Sequence, residues 1–125
     1  MVLLGKNSRK RIIYISYIKN GYFMYNTFIK AINEKIIIQV TFNSKEKGEI
    51  IRTCIPFDFG PSRKYKDGLN RYHYYDLDSP DGKHNLALLP EQVVEIALME
   101  KKFNPGDYVT WAPNWLVARD WGVYS

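Results

Sequence analysis

The residues best suited to act on another molecule lie in and just before RYHYYDLDSPDGKHNLAL, residues 71–88. Tyr72, His73, Tyr74 and Tyr75 stand side by side. A strand turns only every second side chain to one face, so two of these rings must face away from any core that the other two enter. Arg52, Arg63, Lys64, Lys66 and Arg71 fall on or beside the segment that feeds the ring cluster, and Lys83 and His84 sit at its other end. Guanidinium forks match phosphate geometry and aromatic rings stack on bases, so this pairing is the footprint of single-stranded nucleic acid or nucleotide binding. In that reading Tyr72, His73 and Tyr74 stack, while Arg52, Arg63, Lys64 and Arg71 hold phosphate and Lys83 completes the candidate set. A competing reading makes the loop a solvated one and seats the outward rings under the tryptophans of the tail.

Catalysis finds little support. His73 and His84 flank one turn, but no carboxylate or cysteine joins them at a telling spacing. Asp76, Asp78 and Asp81 lack the spacing and terminal Glu of a calcium loop and suit turn formation instead. There is no phosphate-cradling glycine loop, nucleophile elbow or zinc pattern. Cys54 is the single cysteine, so no disulfide within the chain and no cysteine-based metal site is expected, and its apolar setting marks it as a small core residue. The expectation is a binding protein that is not an enzyme and needs no cofactor or metal.

The tail supplies the other notable set. In WLVARDWG, Arg119 stands beside Asp120 and between Trp115 and Trp121. One reading is a clamp, with the indoles packed on the domain and an internal ion pair. The other is a surface for a protein partner or a second copy, formed by Trp111, Trp115, Arg119 and Trp121, because Trp and Arg are enriched in interface hot spots.

These residues must be carried by one modest domain, since the chain has 125 residues. A net charge of +5 and a sequence pI near 9.3 are compatible with an anionic partner. Ten of the residues are Tyr, whose apolar ring and polar tip suit a wet binding face as well as a core edge. No apolar run approaches a membrane span, and the basic start is not followed by a signal-peptide cleavage site. Cytoplasmic residence is therefore expected.

Spacing predicts one short helix, TFIKAINEKI over residues 27–36, capped by Thr27, with Phe28, Ala31 and Ile32 on one stripe. Strands are predicted over residues 36–42, 50–57, 71–78, 84–89 and 93–99, with a further short one at 107–111. NSKEKGE reads as a hairpin turn that uses Gly48, and Pro56 should end its strand or place it at an edge. Residues 58–70 read as a loop. Residues 1–23 read either as a strand or as an appendage ahead of a domain, residues 24–125, whose tail begins near residue 104. The expected architecture is mainly β (α+β): a five- to six-stranded small barrel preceded by one helix.

This order of features resembles the WYL domain of bacterial transcription regulators, over about Thr27 to Phe103. The matching residues are Ala31-Ile32 in the helix, the strand from Ile36 to Phe42, Arg52 and Pro56, the aromatic stretch Tyr72-His73-Tyr74, and the segment from Leu86 to Ile96. The family's Trp-Tyr-Leu signature stands here as Tyr72-His73-Tyr74, and Glu91 or Gln92 stands where the family carries a later Arg. The resemblance implies an Sm-like barrel and a non-catalytic regulatory role in sensing a ligand or nucleic acid.

Overall fold

The computed structural model describes residues 21–125. Of the expected extension over residues 1–23, all but the last three residues lie outside the described part. Those three are helical, within a helix, α1, that covers residues 21–34. Met24, Phe28, Ala31 and Ile32 are all buried and recur at the spacing of one helical stripe. Thr27 is therefore not a cap: Met24 carries the same apolar stripe one turn further back, and the helix follows it. The helix stops at Lys35, whose φ of 59° is the left-handed conformation that usually falls to glycine. The Phe103 amide donates to the Lys35 carbonyl at 2.9 Å and so fixes the exit.

Five antiparallel strands follow: β1 (Ile36–Ser44), β2 (Gly48–Pro61), β3 (Asn70–Asp76), β4 (Asn85–Leu88) and β5 (Val93–Lys102), in the sheet order β4-β3-β2-β1-β5. Their β-branched runs and turn residues appear where the sequence places them. β2 is longer than expected, because Pro56 does not end it. The ladder to β1 reaches no further than Cys54, while the ladder to β3 carries on to Pro61. Pro56 thus stands where β2 has lost its neighbour on the β1 side, a place where a missing donor is harmless. The register jumps between Pro56 and Asp58, so Phe57 is an extra residue that bends the strand.

The sheet does not close into the expected barrel: among the described residues no ladder joins the two edge strands β4 and β5. It does curl. Five flat strands would hold the edges about 19 Å apart. Leu88 and Val93 are linked only through Leu89 and the 3-10 turn Pro90–Gln92, which reaches about 13 Å. The sixth strand expected at residues 107–111 is absent. There the chain makes a 3-10 turn, Pro105–Asp107, held by the Asn104 side chain accepting from the Gly106 amide, and then crosses a sheet face without pairing.

The two faces have different covers. Ile38, Val40, Cys54, Tyr72 and Tyr74 form the face beneath α1, each at most 2% exposed. Cys54 is the core residue that its apolar setting indicates, and burial pushes its thiol well above the usual range. Ile55 and Tyr75, paired across β2 and β3, belong to the opposite face, where Tyr108 packs on Tyr75 with ring centroids 5.0 Å apart. None of the described helices is long and apolar enough to cross a membrane.

Candidate ligand-binding site

Alternation along β3 divides the four rings. Tyr72 and Tyr74 point under the helix and meet the Phe28 ring edge-on at 4.9 and 5.5 Å. They are core residues and cannot form a stacking platform. Burial, with a smaller contribution from Tyr25, raises the Tyr72 phenol to about 12, and burial raises Tyr74 well above its usual value. The Tyr74 hydroxyl has no hydrogen-bond partner among the described residues.

His73 and Tyr75 take the other face. The His73 Nε2 lies 2.9 Å from the Gly60 carbonyl. A carbonyl can only accept, so Nε2 carries the hydrogen and Nδ1 of the neutral ring is left as an acceptor. Tyr75 lies parallel to the His84 imidazole, 4.5 Å between centroids and 6° between planes. His84 in turn is held through Nδ1 at 2.7 Å from the Asp76 carbonyl.

The cations divide as well. Arg52 donates to the Asp76 carboxylate at 2.9 Å, and Arg71 forks onto both Asp67 oxygens at 2.9 and 3.0 Å. The guanidinium of Arg71 also lies over the Tyr65 ring, 4.1 Å from its centroid. Their hydrogen bond holds the Asp67 carboxyl below its usual range and raises Arg71. Arg52 and Arg71 are therefore occupied, not free for phosphate. Lys83 is exposed on the turn before β4 and does not border the cavity described below. Arg63 and Lys64 remain: both are exposed, and neither has an ion-pair partner among the described residues. Their loop is ordered from beneath. The Ser62 hydroxyl accepts from the Lys64 and Tyr65 amides at 3.1 and 3.4 Å, which turns the two cations outward.

Arg119 does not pair with its neighbour Asp120. Its Nη2 meets Asp58 at 3.3 Å and its Nη1 donates to the Phe57 carbonyl. The guanidinium lies 4.0 Å from the Trp115 ring centroid and 4.4 Å from that of Trp121, and its side chain is 1% exposed. Burial lowers its pKa to about 10, against the pull of Asp58. Asp58 also accepts the Leu116 and Val117 amides, both at 2.9 Å, so one carboxylate fastens the tail to the bulge of β2. Gly60 allows that approach, since a Cβ there would run into Leu116. Trp121, 3% exposed, donates its indole N–H to the Ile32 carbonyl at 2.8 Å, serving the last turn of α1. Arg119 and Trp121 are thus internal. Of the indoles weighed as a partner surface, Trp111 is the open one, at 48% exposure.

Between tail, loop and sheet lies a cavity of about 580 Å³. The loop gives it Arg63, Lys64 and Tyr65. β3 and β4 supply His73, Asn85 and Ala87, and the tail supplies Trp111, Asn114, Trp115 and Leu116. Phe57 and Asp58 lie at its back, with Phe57 meeting Trp111 and Trp115 at 5.7 and 5.6 Å. Of the residues expected from sequence, Arg63, Lys64 and His73 meet here, and Tyr74 borders it while its ring serves the core. Asn85 on β4 and Asn114 and Trp111 on the tail were not foreseen in this role, because the tail was weighed as a cover for the outward rings or a partner surface and not as one wall of a cavity facing β4. The arrangement offers cations on one rim, an exposed indole on the other, and neutral hydrogen-bonding groups between.

Neither a protein-family model nor a curated protein matches this chain.

Proposed function

We propose that this protein is a non-catalytic binding and regulatory module that holds nucleic acid or a nucleotide-like ligand in the cavity between the 62–65 loop, β3–β4 and the tail. One observation carries the reading: Arg63 and Lys64 have no carboxylate partner among the described residues and border the same cavity as the half-open Trp111. An exposed indole near uncompensated cations suits a ring that bears phosphate. The curled sheet behind one helix, with a 3-10 turn between β4 and β5, is also in keeping with a WYL-like, Sm-type domain in a cytoplasmic regulator.

The test is fluorescence anisotropy of labelled single-stranded RNA and DNA, at low and moderate salt, together with nucleotide titrations that follow tryptophan emission. Binding should weaken as salt rises. Two phosphate contacts on a single strand correspond to a log–log salt slope of about −1.4, which Arg63→Ala with Lys64→Ala should bring close to zero. Absence of binding at low salt to strands and nucleotides alike would overturn the reading.

A protein partner is the second reading. Trp111 and Leu116, 48% and 65% exposed, supply an apolar rim on the tail. Trp111→Ala with Leu116→Ser should then abolish association, measured by light scattering or partner capture, without loss of the fold.

A further inference from the structure

We infer that the cavity takes one nucleotide and selects adenine over guanine, an inference that rests on the binding reading above. The cations bordering the cavity are consecutive residues of one loop, whereas the walls from β4 and from tail residues 111–116 bring none. A strand tracked along a groove meets cations over several phosphates. Here there is one anion-binding locus, in a space within the size range of small-ligand sites.

The base preference follows from the neutral groups. Asn85 pairs across from Tyr75 and so shares the tail-covered face of the sheet, and Asn114 borders the cavity from the tail. Neither side-chain amide is engaged in a hydrogen bond among the described residues, in contrast to Asn33 and Asn104. An Asn amide gives one donor and one acceptor in the spacing that matches adenine N7 and N6. Guanine would instead call for a carboxylate to accept from N1 and N2, or for a second cation at O6 and N7. Asp58, the one carboxylate bordering the cavity, is already filled: Oδ1 accepts from the Phe59 and Val117 amides and from Arg119, and Oδ2 accepts from the Leu116 amide. Trp111 offers the exposed ring for stacking, and Arg63 with Lys64 the phosphate contact.

The experiment titrates the full chain with AMP, GMP, ribose 5-phosphate and an adenine octanucleotide, following tryptophan emission. AMP should bind about tenfold more tightly than GMP, the discrimination expected of one well-placed amide pair. Ribose 5-phosphate should be weaker than both. Asn85 and Asn114 are exposed, so Asn85→Ala and Asn114→Ala should leave the fold intact and bring the AMP-to-GMP ratio toward one, while Arg63→Ala should weaken both nucleotides by the same factor. Equal affinity for AMP and GMP in the parent protein, or an unchanged ratio in both Asn variants, overturns the inference. If the octanucleotide binds and AMP does not, the one-nucleotide inference falls while the binding reading stands. If nothing binds, both fall.

Discussion

The two faces of the sheet are covered by different physics. Under α1, a regular stripe of Met24, Phe28, Ala31 and Ile32 meets regular alternation on β1 and β3, and what is buried is almost wholly apolar. Under the tail there is no regular backbone. The cover is fastened by one carboxylate, Asp58, which collects two tail amides and a guanidinium held between two indoles. A helix brings its own backbone hydrogen bonds, so it needs only an apolar face to dock. An irregular segment must find partners for its amides on the surface it covers, so a charge has to be placed beneath it. That need places polar groups between the tail and the sheet, and the cavity lies there.

Arg119 is where the two covers differ most. Removing the guanidinium leaves Asp58 part-buried with one partner fewer and a gap between Trp115 and Trp121. Arg119→Ala should cost about 3–5 kcal/mol in urea unfolding, the range for breaking a buried pair from one side. A cost near 1 kcal/mol would mean that the tail lies on the sheet without supporting it. On the helix side the sharpest probe has the opposite sign. Tyr74→Phe removes a buried hydroxyl that has no partner among the described residues, and it should stabilise the protein by about 1 kcal/mol, read as a higher urea midpoint at unchanged m-value. Where α1 ends, Lys35→Gly should add about 0.5 kcal/mol, because glycine adopts positive φ without strain but gives the unfolded chain more freedom. A loss of stability would show that the Lys35 side chain packs to more effect than its backbone strains.

The smallest effect concerns the loop that carries the free cations. The Asp67 carboxyl is held below its usual value, first by its hydrogen bond from Arg71 and then by the Leu69 amide. A carboxylate depressed in the folded state supports that state above its unfolded pKa and loses the support as pH falls through the folded value. NMR titration of the Asp67 carboxyl should therefore give a pKa below the ordinary range, and Arg71→Gln should raise it toward that range while the Leu69 amide still holds it down. An ordinary pKa in the parent protein would mean that the fork does not form in solution.

The sequence made one side of this comparison legible and not the other. Helical spacing through Phe28, Ala31 and Ile32 places the end of α1 but not its start, which lies at least six residues before Thr27, and the β-branched runs at residues 36–42, 50–57 and 93–99 place their strands to within a few residues. Periodicity is a property of regular backbone, and the tail has none, so its aromatic residues could be recognised while their positions could not. Arg119 illustrates this: Asp120 is adjacent in sequence, yet the partner is Asp58, which only the bend at Phe57 brings within reach. Pro56 left two readings open, a strand end or an edge, and the second holds, because whether a proline ends a strand depends on which neighbour the strand has at that point. Among the candidate binding residues, the loop pair Arg63-Lys64 and His73 reach the cavity. Arg52 and Arg71 could not be told apart from them without their carboxylates in view. The closed barrel was the natural reading of five strands with even turns, but whether the two edges pair depends on curvature that no short pattern records.

The fastening of the tail also bears on the order of events in synthesis. Trp121 reaches Ile32 across 89 residues, and Val117 and Arg119 reach Asp58 across 59 and 61. Contacts so distant in sequence come late and slow the search for the native state. Until the chain from Tyr108 to Trp121 has been made, Phe57 and Tyr75 lack their cover, and an apolar sheet face whose two edge strands are not joined among the described residues is exposed to neighbouring chains. The growing chain is thus most vulnerable to aggregation with its sheet complete and its tail still to come.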